Sequence, residues 1–121
     1  MDYTCGEYWN AMLKASVCKL LILRTVCEKP MHGYGIIRRM AELTGSLCVP
    51  TEGTVYPVLR EFRRCGCVRS RIEVVRGRER KVYVATPTGR EALEAGMHVW
   101  RRALVSLRRV VKPCTLACGR R

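Results

Sequence analysis

Apolar residues recur at helical spacing in the first part of the chain and predict two helices there. The first runs from about Glu7 to Cys27 and ends at Lys29-Pro30, because proline cannot continue a helix. Its apolar face consists of Trp9, Leu13, Val17, Leu20 and Leu21. The second helix lies in the segment MHGYGIIRRMAELTG, whose Gly45 is a natural terminator. Its apolar positions are Ile36, Ile37, Met40 and Leu43.

The segment TEGTVYPVLREFRRCGCV predicts a third, short amphipathic helix, which the Thr51 hydroxyl is expected to cap. Its apolar face consists of Val55, Leu59 and Phe62, and its outward face of Thr54, Pro57, Arg60, Glu61 and Arg64. A start at Glu52 costs a backbone hydrogen bond at Pro57, whereas a start near Thr54 places the proline in the first turn. Both alternatives predict an irregular first turn.

Two runs rich in β-branched residues, Val68–Val75 and Lys81–Ala85, predict a hairpin that turns at Arg76-Gly77-Arg78. From Arg60 to Lys81 the chain carries nine Lys or Arg residues against three glutamates. A basic helix can enter the major groove of a duplex while a basic hairpin lies along a neighbouring groove or phosphate run. The pattern therefore predicts an α+β fold, a winged helix-turn-helix.

A narrow apolar seam marks the last predicted helix, which begins near Pro87 and continues to about Val111. The seam residues are Leu93, Met97, Trp100, Leu104, Leu107 and Val111. Their spacing alternates between four and three residues, which is the pattern of a coiled coil. We expect this apolar seam to meet its copy in a second subunit; the alternative is an ordinary helix packed on its own core.

The charge of the chain is unevenly distributed. Residues 1–50 carry six basic and four acidic side chains, and residues 51–121 carry seventeen and six, within a net charge of +13 over 121 residues. Such an excess favours a polyanionic partner. The most apolar run, VCKLLILRTVC, contains Lys19 and Arg24 and falls short of the ~20 residues of a membrane helix. The N-terminus lacks the pattern of a signal peptide, so we expect a cytoplasmic protein without a membrane partner.

Eight cysteines are a high count for this length, and we expect reduced thiols unless the source is a hyperthermophile. Zinc typically needs four ligands with a C-x2-C knuckle, which the chain lacks, so no metal site or cofactor is predicted. Cys65-x-Cys67 and Cys114-x3-Cys118 could still combine across a dimer to hold a soft ion or oxidise. The alternative is that most cysteines are small buried hydrophobes. No Gly-rich phosphate loop or nucleophile motif is present, so neither catalytic residues nor an enzyme are expected.

Three segments, LILRTVCEKPMHGYGIIRRM, TEGTVYPVLREFRRCGCVRS and GRERKVYVATPTGREAL, together resemble the PadR family of transcriptional regulators. Members usually show an HGY-I helix start, a [ST]-x-G-T-[LV]-Y-P-x-L recognition helix and a wing ending in R-[RK]-x-Y-x-[LV]-T-x-x-G. The resemblance extends from about Leu20 to Trp100, in order and at matching separations. Val84-Ala85-Thr86 departs from the usual leucine before the threonine, and the cysteines are not family features.

This resemblance implies a homodimeric, ligand-responsive regulator, commonly a repressor, that binds a palindromic operator in double-stranded DNA. From the chain itself we expect a winged domain over residues 1–86, a dimerisation helix over 87–112 and a basic, Cys-containing tail over 113–121. The short C-terminal part resembles the compact subgroup of the family. In some of those members a tryptophan at the place of Trp100 stacks flat aromatic compounds, and Trp9 could line the same cavity. From the spacing alone Trp100 is expected to be a large core residue, and only the resemblance makes the ligand pocket an equal alternative.

Arg60 and Arg64, four residues apart, can reach base edges or phosphates, and Tyr56 can donate to a phosphate. Tyr34 and Tyr83 could also be DNA contacts, but we expect them to be core aromatics with the hydroxyl at the surface. The predicted DNA-binding residues are Thr51, Thr54, Tyr56, Pro57, Arg60, Arg64, Arg76, Arg78, Arg80 and Lys81. Strand alternation should turn about half of the wing cations away from DNA. Two other functions remain open, a thiol-based metal or redox regulator on the same fold and a non-specific architectural nucleic-acid binder.

Overall fold

The structure is a computed structural model, and it describes residues 2–113. Four helices and a three-stranded antiparallel sheet of order β1-β3-β2 confirm the predicted α+β winged helix. The elements are α1 (Gly6–Glu28), β1 (Met31–His32), α2 (Gly33–Leu43), α3 (Glu52–Arg64), β2 (Val68–Val75), β3 (Arg78–Ala85) and α4 (Pro87–Val110). No helix within the described residues is both long enough and apolar enough to cross a bilayer.

The core lies where α1, α2 and α3 meet the inner face of the sheet. Ile22, Ile36, Val55 and Leu59 are each fully buried there, one or two from each helix. Tyr83 of β3 closes the cluster from the sheet side. The apolar faces predicted for α2 and α3 are therefore confirmed as the faces that build the core, and the outward face of α3 is left to solvent.

The start of α3 decides between two alternatives and corrects one expectation. The helix begins at Glu52, so Pro57 lies in its second turn and deprives the Gly53 carbonyl of its usual amide partner. Thr51 occupies the N-cap position, but its hydroxyl makes no capping hydrogen bond to an amide. The Thr51 carbonyl accepts instead from the Thr54 and Val55 amides, at 3.0 and 3.1 Å, and the Thr51 hydroxyl lies 3.3 Å from that of Thr54.

The wing is a longer and tighter hairpin than the sequence predicts. Strand β3 begins at Arg78, three residues before the predicted Lys81, because every residue from Val68 to Val75 finds a partner in register. Only Arg76 and Gly77 remain for the turn, with φ of +54° and +78°. Two left-handed residues in a two-residue loop match the right-handed twist of the flanking strands.

Helix α4 is joined to the base of the wing and runs antiparallel to α1. The Thr86 hydroxyl caps α4 by accepting from the Gly89 amide at 3.0 Å, and it donates to the Gly66 carbonyl at 2.6 Å. Near the end of α1, Arg90 donates to the Cys27 carbonyl at 3.1 Å. Six residues further along α4, a Cβ at Gly96 would lie 2.5 Å from the end of the Leu20 side chain, so a larger residue at this position requires Leu20 to move.

Candidate nucleic-acid interface

The outward face of α3 presents Pro57, Arg60 and Arg64 to solvent, opposite the buried Val55 and Leu59. Because residues three and four apart share one side of a helix, these three side chains form a continuous exposed strip. Thr51 and Thr54 are also exposed and lie at the N-terminal end of this helix. The structure thus brings the predicted α3 residues to one surface.

The acidic member of the outward face is neutralised by α1. Glu61 accepts a salt bridge from the Lys19 ammonium at 2.7 Å, and this contact lowers the pKa of the Glu61 carboxyl. Lys19 also lies over the Phe62 ring, 5.9 Å from its centroid. The negative charge that would repel a phosphate near Arg60 and Arg64 is therefore paired on the side that faces α1.

The three tyrosines for which the sequence predicted either a DNA contact or a place in the core lie in different environments. Tyr56 is half-buried and packs against Gly33, where an added Cβ would lie 2.6 Å from the Tyr56 Cζ. The glycine of the HGY segment is thus needed because the Tyr56 ring occupies the space of a side chain. Tyr34 is 65% exposed at the start of α2, and Tyr83 is only 6% exposed.

The four wing cations divide between the two faces of the hairpin, because side chains alternate along a strand. Arg78 and Arg80 share one face and border, with the turn residue Arg76, an open cavity of about 510 Å³. Lys81 points to the opposite face, where it borders a cavity of about 310 Å³ together with α3 residues. The expected split of the wing residues stays a prediction for DNA contact, but the structure assigns the members of each face.

Arg63 is an exposed cation that sequence reasoning left out of the interface. Its Nη1 donates to the Ser70 hydroxyl of β2 at 3.0 Å, and it borders the same cavity as Arg60 and Lys81. On the helix it lies one residue beyond Phe62, on the flank between the buried and outward faces. The three-residue spacing between Arg60 and Arg63 indicated that both side chains lie on the same side of the helix. The sequence does not show that the wing packs beside this flank.

His32 contributes to the structure of the motif start. Its Nδ1 accepts from the Gly35 amide at 3.1 Å and so caps α2. Burial, followed by the charges of Arg80 and Arg38, lowers the pKa of the imidazole, while Glu73 opposes this change. The neutral ring is therefore favoured, as the capping bond requires, since a protonated Nδ1 has no lone pair to accept with.

The cysteines of the CxC pair do not share an environment. Cys65 is exposed at the C-terminal end of α3, whereas Cys67 is 8% exposed. Cys18 and Cys48 are buried side by side in the core, and burial followed by the neighbouring Cys48 raises the pKa of the Cys18 thiol to about 11. Cys114 and Cys118 lie outside the described residues. Within residues 2–113, no group of three or more His, Cys, Asp or Glu side chains is arranged to hold a metal.

The apolar seam of α4 divides into a packed and an exposed half. Leu93 packs against the core of its own chain, and Met97 and Trp100 are half-buried. The remaining members are exposed at 58% (Leu104), 54% (Leu107) and 77% (Val111). Val111 lies one residue past the last residue of α4, whose helix was predicted to include it. The first part of the expected dimerisation seam therefore serves the chain's own fold.

The two tryptophans lie apart in a single chain. Trp9 donates its indole N–H to the Tyr3 carbonyl at 2.8 Å and meets the Tyr8 ring edge-on, with 5.0 Å between centroids. Because α1 and α4 run antiparallel with Leu20 level with Gly96, Trp9 and Trp100 are separated by roughly 10 Å along the helix axes at 1.5 Å per residue. The expected cavity shared by Trp9 and Trp100 stays a prediction.

Comparisons with known proteins agree with the winged-helix geometry. Residues 22–95 match the family model described as "Transcriptional regulator PadR-like family". The chain is 38% identical over 93 residues to Transcriptional regulator Rv3488 of Mycobacterium tuberculosis, across 77% of this chain and 80% of that protein. These names indicate transcriptional regulators, which are generally not enzymes.

Solved structures show the same fold at low sequence identity. A PadR family transcriptional regulator of Eggerthella lenta superposes with a TM-score of 0.76 at 18% identity, covering 89% of this chain and 93% of that one. A transcriptional regulator of Clostridium thermocellum superposes with a TM-score of 0.74 at 22% identity, covering 83% and 98%. With a family match over more than half of its length, the chain belongs to the PadR-like family of transcriptional regulators.

Proposed function

We propose that this protein is a sequence-specific, homodimeric DNA-binding regulator, acting as a ligand-responsive repressor at a palindromic operator. The observation that carries the DNA-binding part is the distribution of ion pairs. Within residues 2–113, no salt bridge is formed by the predicted DNA-binding cations Arg60, Arg64, Arg76, Arg78, Arg80 and Lys81, whereas Lys19, Arg24 and Arg39 of α1 and α2 are paired with glutamates. Unpaired cations clustered on one surface are the electrostatic footprint of a phosphate-binding protein.

In this proposal α3 reads bases and the wing positions the duplex. Arg60 and Arg64 fork onto guanine O6 and N7 or onto flanking phosphates, and Thr54 and Pro57 approach the same groove. Arg76, Arg78 and Arg80 contact a minor groove or the phosphates beside it. Two copies of α3 must lie about 34 Å apart to meet successive major grooves, so dimer geometry sets the operator spacing.

The test compares Arg60→Ala with Arg78→Ala on the duplex that the wild-type protein selects from a random pool, and on unrelated DNA at the same salt. Arg60→Ala should cost about 1–3 kcal/mol on the selected duplex and relax discrimination at one base pair. Arg78→Ala should weaken both duplexes equally and flatten the salt dependence. Arg102→Ala, which removes one charge from the α4 face opposite the apolar seam, is the control.

Two outcomes would contradict the proposal. If the wild type selects no duplex and binds all DNA alike, the protein is a non-specific architectural binder. If Arg60→Ala and Arg78→Ala behave identically on both duplexes, the division of roles between α3 and the wing is wrong. A dependence of operator binding on thiol oxidation or added soft metal would instead favour the thiol-based regulator.

Dimerisation is proposed through the exposed half of the apolar seam. Full burial of a leucine is worth about 1.5–3 kcal/mol, and Leu104 is still 58% exposed, so two copies contribute roughly 2–3 kcal/mol on association. Leu104→Lys loses this contribution and opposes two like charges, so sedimentation should show a monomer. Val105→Lys is the matched control, since Val105 is 62% exposed but lies off the seam. A dimeric Leu104→Lys protein would move the interface elsewhere.

The effector is proposed to be a flat aromatic compound held at Trp100 near the dimer axis, where symmetry brings the two copies of a seam residue together. Stacking on an indole face favours such ligands. In a Trp9→Phe background Trp100 is the only tryptophan of the chain, so its fluorescence reports binding directly. Quenching by a phenolic acid or a planar cation should vanish in Trp100→Ala while DNA affinity persists. A lowered melting temperature without any quenching ligand would assign Trp100 to the core.

A further inference from the structure

A cavity between the recognition helix α3 and the wing has the positively charged lining of an anion-binding site. It measures about 310 Å³ and is lined by Tyr56, Arg60, Arg63, Lys81 and Tyr83. Three of these five residues are cations, and none of the three forms a salt bridge within residues 2–113. Two acids, Glu52 and Glu79, border the adjoining cavity, but neither lines this one. Positive charge therefore converges here without an internal counterion.

Tyr83 is a buried polar group whose hydroxyl lacks a partner. The residue is 6% exposed and lines this cavity, yet its hydroxyl makes no hydrogen bond to any described part of the chain. A ligand oxygen in this cavity would supply the partner that the hydroxyl lacks among the described residues. Burial, then the proximity of Tyr56, raises the pKa of Tyr83, and Arg63 and Arg60 oppose the change because they lie near the phenol. The phenol is thus a protonated donor at neutral pH.

Arg63 is held in place beside this phenol. One guanidinium nitrogen, Nη1, donates to the Ser70 hydroxyl at 3.0 Å, and Ser70 is the β2 partner of Tyr83 in the sheet register. This bond holds the guanidinium near the wall of the cavity, and its other N–H groups donate to no other described residue. A rigid fork of donors is the arrangement that matches phosphate oxygens.

We propose that this cavity seats one backbone phosphate of bound DNA, with Tyr83 as a hydrogen-bond donor and Arg63 and Lys81 as its charge partners. The inference rests on the proposed DNA-binding function and adds to it one phosphate-binding site formed jointly by α3 and the wing. A single phosphate gripped from both elements fixes the position of the recognition helix along the groove. Backbone contacts of this kind set register without reading sequence.

The primary variant is Tyr83→Phe, which removes only the hydroxyl. Since the hydroxyl is unpaired in the free protein, the melting temperature should stay the same or rise, whereas a structural role would lower it. Affinity for the duplex selected by the wild type should fall about tenfold, as expected for the loss of one hydrogen bond to a charged group. Tyr8→Phe is the matched control, because Tyr8 packs with Tyr3 and Trp9 at the far end of α1.

A scan of single methylphosphonate substitutions along that duplex, each of which removes the charge of one phosphate, identifies the phosphate bound in this cavity. At one phosphate in each half-site, the methylphosphonate should weaken binding of the wild type but cause no further loss of affinity in Tyr83→Phe or in Arg63→Gln. At all other positions it should reduce the affinity of the variants by the same factor as that of the wild type. Such coupling supports the inference. If wild type and Tyr83→Phe bind with equal affinity and give identical scans, the inference is overturned even though specific DNA binding stands. If no duplex is selected at all, the proposed function fails first.

A free oxyanion is the other source of the same chemistry. Inorganic phosphate is titrated into the DNA-free protein at constant ionic strength and followed by the chemical shifts of the Tyr83 ring. An absence of saturable shifts supports a seat completed only by the DNA backbone. Saturable binding that disappears in Tyr83→Phe would assign the cavity to a free anion and overturn the DNA-backbone assignment.

Discussion

Thr86 joins the base of the wing to α4, and replacing it with valine tests how that junction is held. Its hydroxyl donates to the Gly66 carbonyl at 2.6 Å and accepts from the Gly89 amide at 3.0 Å, and the residue is buried. Loss of an N-cap costs about 1 kcal/mol. Loss of the second hydrogen bond adds roughly 1 kcal/mol, because water can reach the exposed Gly66. Thr86→Val should therefore cost about 2 kcal/mol of unfolding free energy.

At roughly 4 °C per kcal/mol for a domain of this size, the melting temperature should fall by about 8 °C. Unfolding is followed by circular dichroism at one protein concentration, since association shifts the midpoint. Thr88→Val is the matched control, because Thr88 is exposed in the first turn of the same helix. Thr86→Ser keeps both hydrogen bonds and should stay close to wild type. If Thr86→Val and Thr88→Val have the same melting temperature, the Thr86 hydroxyl does not stabilise the junction.

Two further substitutions test the start of α2. Gly33→Ala should cost roughly 1–3 kcal/mol of stability, because its Cβ would meet the Tyr56 ring, and the cost should vanish in a Tyr56→Ala background. Gly35→Ala, with 3.6 Å to the His32 ring, is the control for both thermal unfolding and operator affinity. The lowered pKa of His32 means that the unfolded state binds more protons, so urea stability should fall as pH drops below about 6.5. His32→Asn retains a capping side chain and should flatten that slope; an unchanged slope would assign it to another group.

Helices were predictable from the sequence because their apolar periodicity is local. Helices α1, α2 and α4 begin and end within a few residues of the expected positions, at Pro30, Gly45 and Pro87. Strand β1 was missed because two residues, Met31 and His32, carry no periodicity. It exists only because β3, some fifty residues later, provides hydrogen-bonding partners at Val82 and Tyr83. Such pairing is a property of the assembled sheet.

The exposed face of α3 was predictable from the sequence, and the surroundings of its flanks were less so. A helical wheel separates buried from exposed positions, and it placed Arg60 and Arg64 correctly in the exposed strip. It does not say which neighbour covers each flank. The wing lies beside Arg63 and α1 lies beside Glu61, so the first is directed toward the cavity and the second toward Lys19. Tyr83 was assigned to the core, and its burial agrees, but the cavity before its hydroxyl depends on three separate elements.

Helix α1 is the element through which α4 can influence α3. Two consecutive residues divide the task, since Lys19 pairs with Glu61 of the recognition helix and Leu20 packs against Gly96 of α4. Protein interiors are close-packed, so a rotation of α4 that displaces Leu20 also moves its neighbour Lys19. An effector at the dimer axis needs only a difference in affinity for two arrangements of α4 to bias the spacing of the two recognition helices. For the proposed ligand response we expect Lys19→Gln to reduce the effect of the effector on DNA affinity more than it reduces DNA affinity itself. Operator titrations with and without a ligand that quenches Trp100 measure both quantities, and equal losses in the two would exclude this route.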